Sequence, residues 1–83
     1  MNKTILILGA CGQIGTELTL ALRQKYGNDS VVASDIRQPE HSELLNGPFE
    51  VLDASSASAL RSVCEKHKVN HIRFLLALTL DLQ

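Results

Sequence analysis

The chain predicts an α/β fold, a parallel sheet with helices on its faces, and its 83 residues match the first (βαβ-β-α-β) half of a doubly wound domain. Three observations carry that prediction. Short apolar runs rich in β-branched residues recur near 4–8, 31–34, 49–52 and 72–78, separated by helix-sized or loop segments. Strands so spaced pair in parallel through right-handed crossovers. The first run is continuous rather than alternating, as a strand covered on both faces is. No composition shift, repeat or low-complexity stretch divides the chain, so 1–83 is read as one incomplete unit.

Taken in order, Thr4-Ile5-Leu6-Ile7-Leu8 is the first strand, halted by Gly9. A helix follows the glycine-rich turn. Ile14, Leu18, Ala21 and Leu22 recur at helical spacing and should face the sheet, with Glu17, Arg23, Gln24 and Lys25 on the wet side. Gly27 is the expected left-handed stop. A second strand at 31–34 ends in Asp35. Residues 36–48, with Pro39, Gly47 and Pro48, form an irregular connection around the pair Leu44 and Leu45, with room for one helical turn. After the third strand, Asp53, Ser55 and Ser56 offer caps for a helix through Lys68 whose inner face is Leu60, Val63, Cys64 and His67.

Composition narrows the function. Eight basic against nine acidic side chains leave a formal charge of −1, without the basic footprint of a nucleic-acid binder. No apolar run approaches the roughly 20 residues of a membrane-spanning helix, and the start of the chain lacks the layout of a signal peptide. Cys11 and Cys64 fit neither a disulfide scaffold nor a metal pair, and His41, His67 and His71 have no ligand spacing, so no metal is expected. A reducing cytoplasm is the expected compartment.

The chemistry concentrates at Gly9-Ala10-Cys11-Gly12-Gln13-Ile14-Gly15, a G-x-x-G-x-x-G turn between strand and helix. In a dinucleotide-binding turn one glycine permits the tight exit from the strand. Another admits a diphosphate to the backbone, and a third lets the helix pack closely. Amides around Gly12, Gln13 and Ile14 would then face the phosphates at the positive end of the helix. Asp35, twenty positions after Gly15 and at a strand end, could accept both hydroxyls of the adenosine ribose, favouring NAD over NADP. Arg37 pulls the other way, since an arginine there can hold a 2′-phosphate. The plainer alternative makes the glycines an ordinary turn and Asp35 a solvated residue.

These segments, with Ser34-Asp35-Ile36-Arg37, Gly47-Pro48-Phe49 and Leu52-Asp53, resemble the extended short-chain dehydrogenase/reductases (the NAD-dependent epimerase/dehydratase superfamily), and within them the L-threonine 3-dehydrogenases. The likeness runs from residue 3 to about 72, the first quarter or so of such an enzyme. It implies a Rossmann-type fold, NAD as cofactor and a homo-oligomeric parent that passes hydride from L-threonine to NAD. It also implies that Gly9, Gly12, Gln13, Ile14 and Gly15 line the diphosphate, that Asp35 holds the ribose, and that Arg37, Asp53 and Ala54 lie about the adenine. Ala77 would border the nicotinamide side. From the residues alone, Asp53 could equally cap the following helix.

Departures matter as much. The family's Tyr-x-x-x-Lys pair, in which the lysine tunes a tyrosine general base, occurs nowhere in the chain; the single tyrosine, Tyr26, is followed four residues on by Ser30. No catalytic residue is therefore assigned. Phe74 stands where relatives carry His, and the run 74–82 is strongly apolar, the composition of a sticky strand edge. A nucleotide-sugar epimerase or dehydratase parent, or a non-catalytic NAD-sensing module, remain alternatives. The purified 83-residue chain is expected to form no NADH from L-threonine; steady absorbance growth at the NADH band would refute that.

Overall fold

The computed structural model describes residues 3–39 and 41–74. Four strands, β1 (Ile5–Leu8), β2 (Val31–Asp35), β3 (Phe49–Val51) and β4 (His71–Phe74), form one sheet in the order β3-β2-β1-β4. Every pairing is parallel. Helix α1 (Gln13–Tyr26) joins β1 to β2, and α2 (Ala57–His67) joins β3 to β4. Short 3-10 turns stand at Asn28–Ser30 and Ser42–Asn46, the second within the connection read as irregular. The expected fourth strand continues past Phe74 into residues that lie outside those described, as do Ala77 and the apolar run beyond. Among the described residues no helix is long and apolar enough to cross a membrane.

The continuous apolar run of β1 is explained by two cores. Ile5 and Ile7 point to the α1 side, where they meet Val31, Ala33 and Leu44, with Leu18, Leu22, Tyr26 and Phe49 packed against them. Leu6 and Leu8 point to the α2 side and meet Val32, Leu52 and Val63. All four β1 residues are buried, and successive side chains must alternate faces, so only an all-apolar strand satisfies both layers. On α2 the expected inner face holds: Val63 is buried, and Leu60 and Cys64 pack on the same cluster. Ser56 is the residue that caps α2, its Oγ accepting the Ala59 amide, and Lys68 closes the helix in the left-handed conformation.

Helix α1 corrects the sequence expectation. Its buried positions are Gly15, Thr16, Thr19 and Arg23, whereas Ile14 is 48% exposed and Ala21 is exposed. Arg23, expected in water, is 3% exposed. Its Nε donates to Val31 O at 3.1 Å, and its terminal nitrogens donate to Leu44 O and Pro48 O, each at 2.7 Å. Among the described residues no carboxylate pairs with it, and burial lowers its pKa from the ordinary value. Three carbonyls thus replace the water a guanidinium needs. The same contact explains Gly47, where a Cβ would stand 2.8 Å from the Arg23 guanidinium and 2.5 Å from Asn28 O. Gly27 has the positive φ expected of it (103°), but its ψ of 148° is extended, so the chain leaves α1 without a left-handed turn.

On the α2 side, Glu50 Oε2 accepts from His67 Nε2 at 2.7 Å and from Lys66 Nζ at 2.9 Å. His67, placed by the sequence on the inner face of the helix, and its neighbour Lys66 thereby tie the end of α2 to β3.

Two outcomes follow from these contacts. Arg23→Met keeps the stem but removes three hydrogen bonds, with Pro48 O still accepting the Ala33 amide, and should lower the unfolding free energy by about 3 kcal/mol in urea titration. The His67 hydrogen bond, and secondarily Lys66, hold the Glu50 carboxyl below its ordinary pKa of 4.5. A depressed carboxyl stabilises the fold above that value and loses its contribution as pH falls through the lowered one. Acid unfolding of Glu50→Gln should accordingly show a shallower loss of stability below about pH 4.5 than the wild-type chain.

Candidate functional site

The carboxyl ends of β1, β2 and β3 bring the singled-out residues to one edge of the sheet. The turn after β1 begins at Gly9, whose φ of 92° suits glycine and strains other residues. Gly9 and Ala10 both donate their amides to Ser34 O, at 3.0 and 2.9 Å. The next amide, Cys11 N–H, donates to Asp35 Oδ2 at 3.0 Å. Thus three successive amides are spent on the end of β2. Behind the turn, Thr16 Oγ1 donates to Ala10 O at 2.9 Å and Ser34 Oγ donates to Ile7 O at 2.7 Å.

From Gly12 onward the situation changes. Gly12 occupies the N-cap position of α1 with φ −70° and ψ 168°, no side chain caps the helix, and its first turn holds no acid. The first intrahelical acceptor is Gly12 O, taken by Thr16 N–H, so helix geometry leaves the amides just ahead of it without intrahelical partners. Gln13 and Ile14 are exposed. A Cβ on Gly12 would meet nothing within 4 Å, whereas one on Gly15 would run into Gly9 O and come within 2.9 Å of Ala10 Cα. Gly15 is therefore required by packing of helix on turn. Among the described residues no contact requires Gly12, and its missing side chain leaves room outside the turn.

Asp35 sits beside that room, its side chain 10% exposed. Oδ1 accepts the Arg37 amide at 3.1 Å, and the mostly exposed Arg37 side chain brings Nε to 3.7 Å. Two amides use only part of a carboxylate's roughly four acceptor positions, which leaves capacity for external hydroxyls. Asp53 and Ala54 follow β3 directly, and the Leu52 amide donates to Asp35 O at 2.8 Å. Asp53 does not cap α2. Its Oδ1 accepts from Ser55 Oγ (2.6 Å) and Ser55 N (2.9 Å), which holds its carboxyl below the usual carboxylate range.

Elsewhere the geometry is structural. Tyr26 ends α1, about 20 Å along the helix from the turn, with Lys3 and Lys25 ammonium groups 5.1 and 5.3 Å from its ring centre. The Cys11 thiol is buried against Arg37 O and Gln38 O, each 3.6 Å away. Sequence reasoning passed over Thr16 and Ser34. Only Ser34 carried a readable signal, a hydroxyl directly after the apolar Val31-Val32-Ala33 run; Thr16, between Gly15 and Glu17, carried none.

A parallel sheet with a glycine turn entering a helix, and an acid at the end of the adjacent strand, define the class: a Rossmann-type α/β unit. No family model matches the chain, but individual relatives do. It is 51% identical over 77 residues to an uncharacterized epimerase/dehydratase of Staphylococcus haemolyticus, and 48% identical to one of Staphylococcus saprophyticus; each alignment covers 92% of this chain and 24% of the relative. Among solved structures, the L-threonine dehydrogenase of Clostridium difficile superposes with a TM-score of 0.81 at 40% identity, over 88% of this chain and 23% of that one. The GalE-like L-threonine dehydrogenase of Cupriavidus necator gives 0.78 at 38% identity, over 87% and 23%. The chain is a segment of this epimerase/dehydratase and threonine dehydrogenase family. It spans about a quarter of the length of the curated relatives it matches.

Gly15→Ala should be destabilised by roughly 2 kcal/mol, since backbone must move to admit the methyl group; a thermal midpoint within a degree of wild type would contradict the packing account.

Proposed function

We propose that this chain is the NAD-binding segment of an oxidoreductase like L-threonine 3-dehydrogenase. The observation that carries the reading is Asp35: its carboxylate adjoins the glycine turn, bonded to Cys11 N–H at 3.0 Å, beside an uncapped helix start. The diphosphate would lie against the amides of Gly12, Gln13, Ile14 and Gly15, where no side chain among the described residues caps the helix and its end is positive. Gly9 shapes the turn. Asp35 would accept the adenosine ribose hydroxyls, and its charge would repel a 2′-phosphate. Arg37, Asp53 and Ala54 would border the adenine, with Ala77 on the nicotinamide side. When bound, NAD supplies the hydride acceptor; the residues of this chain hold and orient it.

Proton transfer and recognition of L-threonine fall to residues outside this segment, in keeping with the lack of a Tyr-x-x-x-Lys pair. The Staphylococcus relatives' description as epimerase/dehydratase proteins supports a second reading, in which the parent acts on a nucleotide sugar through the same cofactor site. Assays of a full-length protein carrying this segment separate the two, by NADH formation from L-threonine against turnover of a nucleotide sugar. Residence in the cytoplasm, a homo-oligomeric parent, and freedom from membrane and nucleic acid belong to the same proposal.

Calorimetric titration of the chain should give tighter binding of NADH than of NADPH. Gly12→Ser sharpens the test. The hydroxyl is a good helix cap, worth roughly a few tenths of a kcal/mol over glycine, yet it occupies the room left for the diphosphate. Stability should hold or rise while NADH affinity drops at least about tenfold. Wild-type chain that ignores NADH, or a serine variant that binds it undiminished, would sink the assignment.

A further inference from the structure

The three amides that the glycine turn directs at β2 are not held in the same way. Those of Gly9 and Ala10 go to a backbone carbonyl, Ser34 O, which a residue of any type would supply. That of Cys11 goes to a side chain, Asp35 Oδ2, across 24 positions of chain. The Cys11 N–H belongs to the Ala10–Cys11 peptide, one unit before the peptide that carries the Gly12 amide, so this bond fixes the approach of the chain to the open amides of the α1 start. The carboxylate is itself fixed, because its other oxygen takes the Arg37 amide at 3.1 Å and its side chain is only 10% exposed.

We propose that Asp35 is a positioning residue for the diphosphate end of the site in addition to its part at the ribose: Oδ2 holds the Cys11 peptide so that the amides from Gly12 to Gly15 converge, and one carboxylate thereby couples the two halves of the ligand. The inference rests on the dinucleotide reading for its ligand, and on the hydrogen bond alone for its mechanics. Electrostatics gives it a distinctive sign. A carboxylate near a diphosphate repels it, so deleting the charge should by itself strengthen binding of an anion that carries no ribose. Losing the acceptor should weaken it, because the turn is released.

Asp35→Asn removes the charge and keeps a single acceptor oxygen, which can take the Cys11 amide at the expense of the Arg37 one, whereas Asp35→Ala removes charge and acceptors together. Inorganic pyrophosphate, titrated by phosphorus NMR against wild type and both variants, isolates the phosphate end. The asparagine variant should bind it as well as or better than wild type, and the alanine variant about three- to tenfold more weakly than the asparagine variant, the size of one hydrogen bond. Amide hydrogen exchange, read without ligand, should be faster at Cys11 in the alanine variant and restored in the asparagine one. The Ile5–Leu8 amides serve as the control for an intact sheet. Equal behaviour of the two variants in exchange, or equal pyrophosphate affinity where the wild type binds it, overturns the proposal. A wild-type chain that binds neither NADH nor pyrophosphate would instead defeat the functional reading, and the exchange comparison would still decide whether Asp35 holds the turn.

Discussion

The union of the glycine turn with the end of β2 is the constraint on which the rest depends. Without it β1 would end in a loose loop, since a residue at φ 92° has no regular partner to continue a ladder. The Ser34 carbonyl takes two consecutive amides of the turn and the Asp35 carboxylate takes the third. This uses up the donors nearest the sheet and leaves those at the start of α1 as the outward-facing set. Structural and ligand-directed amides thus divide between Cys11 and Gly12, a single peptide apart.

At the opposite end of the unit Arg23 does for the connection what Asp35 does for the turn. A connection rich in proline and polar residues cannot be held by apolar burial alone, and only Leu44 of the 3-10 turn is buried. The guanidinium reaches the start of β2, the 3-10 turn and the approach to β3 at once. Burying a cation without a carboxylate is costly in general; here the fork geometry of arginine matches three carbonyls, and glycine at 47 makes space for it. The Gly-Pro-Phe segment, noticed in the sequence as a mark of resemblance, thereby has a mechanical reason.

Much of this was legible beforehand for definite physical causes. Continuous apolar runs announced a two-faced parallel sheet because each strand must feed two cores, as β1 does. Gly9 and Gly15 announced a turn packed under a helix, and the backbone angle and the close approach at those positions show why. Helix α1 was less legible. Periodicity weighs residues by polarity, and beside Leu18 and Leu22 its inner face carries a glycine, two threonines and an arginine; Thr16 and Arg23 bond to carbonyls outside the helix and Thr19 to Gly15 O within it. The pairing of His67 with Glu50 was not legible either, because the two are 17 residues apart and meet only once α2 has folded back over β3.

The amino-acid order by itself determined the class of fold, the positions of the strands and the chemistry concentrated at the turn and at Asp35. Those rest on local periodicity and on the steric needs of glycine, which travel with the chain. Tertiary structure alone decided which amides are spent and which remain open, that Arg23 lies inside, and that Ser56 rather than Asp53 caps α2. Each of those outcomes is a hydrogen-bond assignment, several of them between residues remote in sequence, and a polar group reveals its partner only when the fold has taken water away.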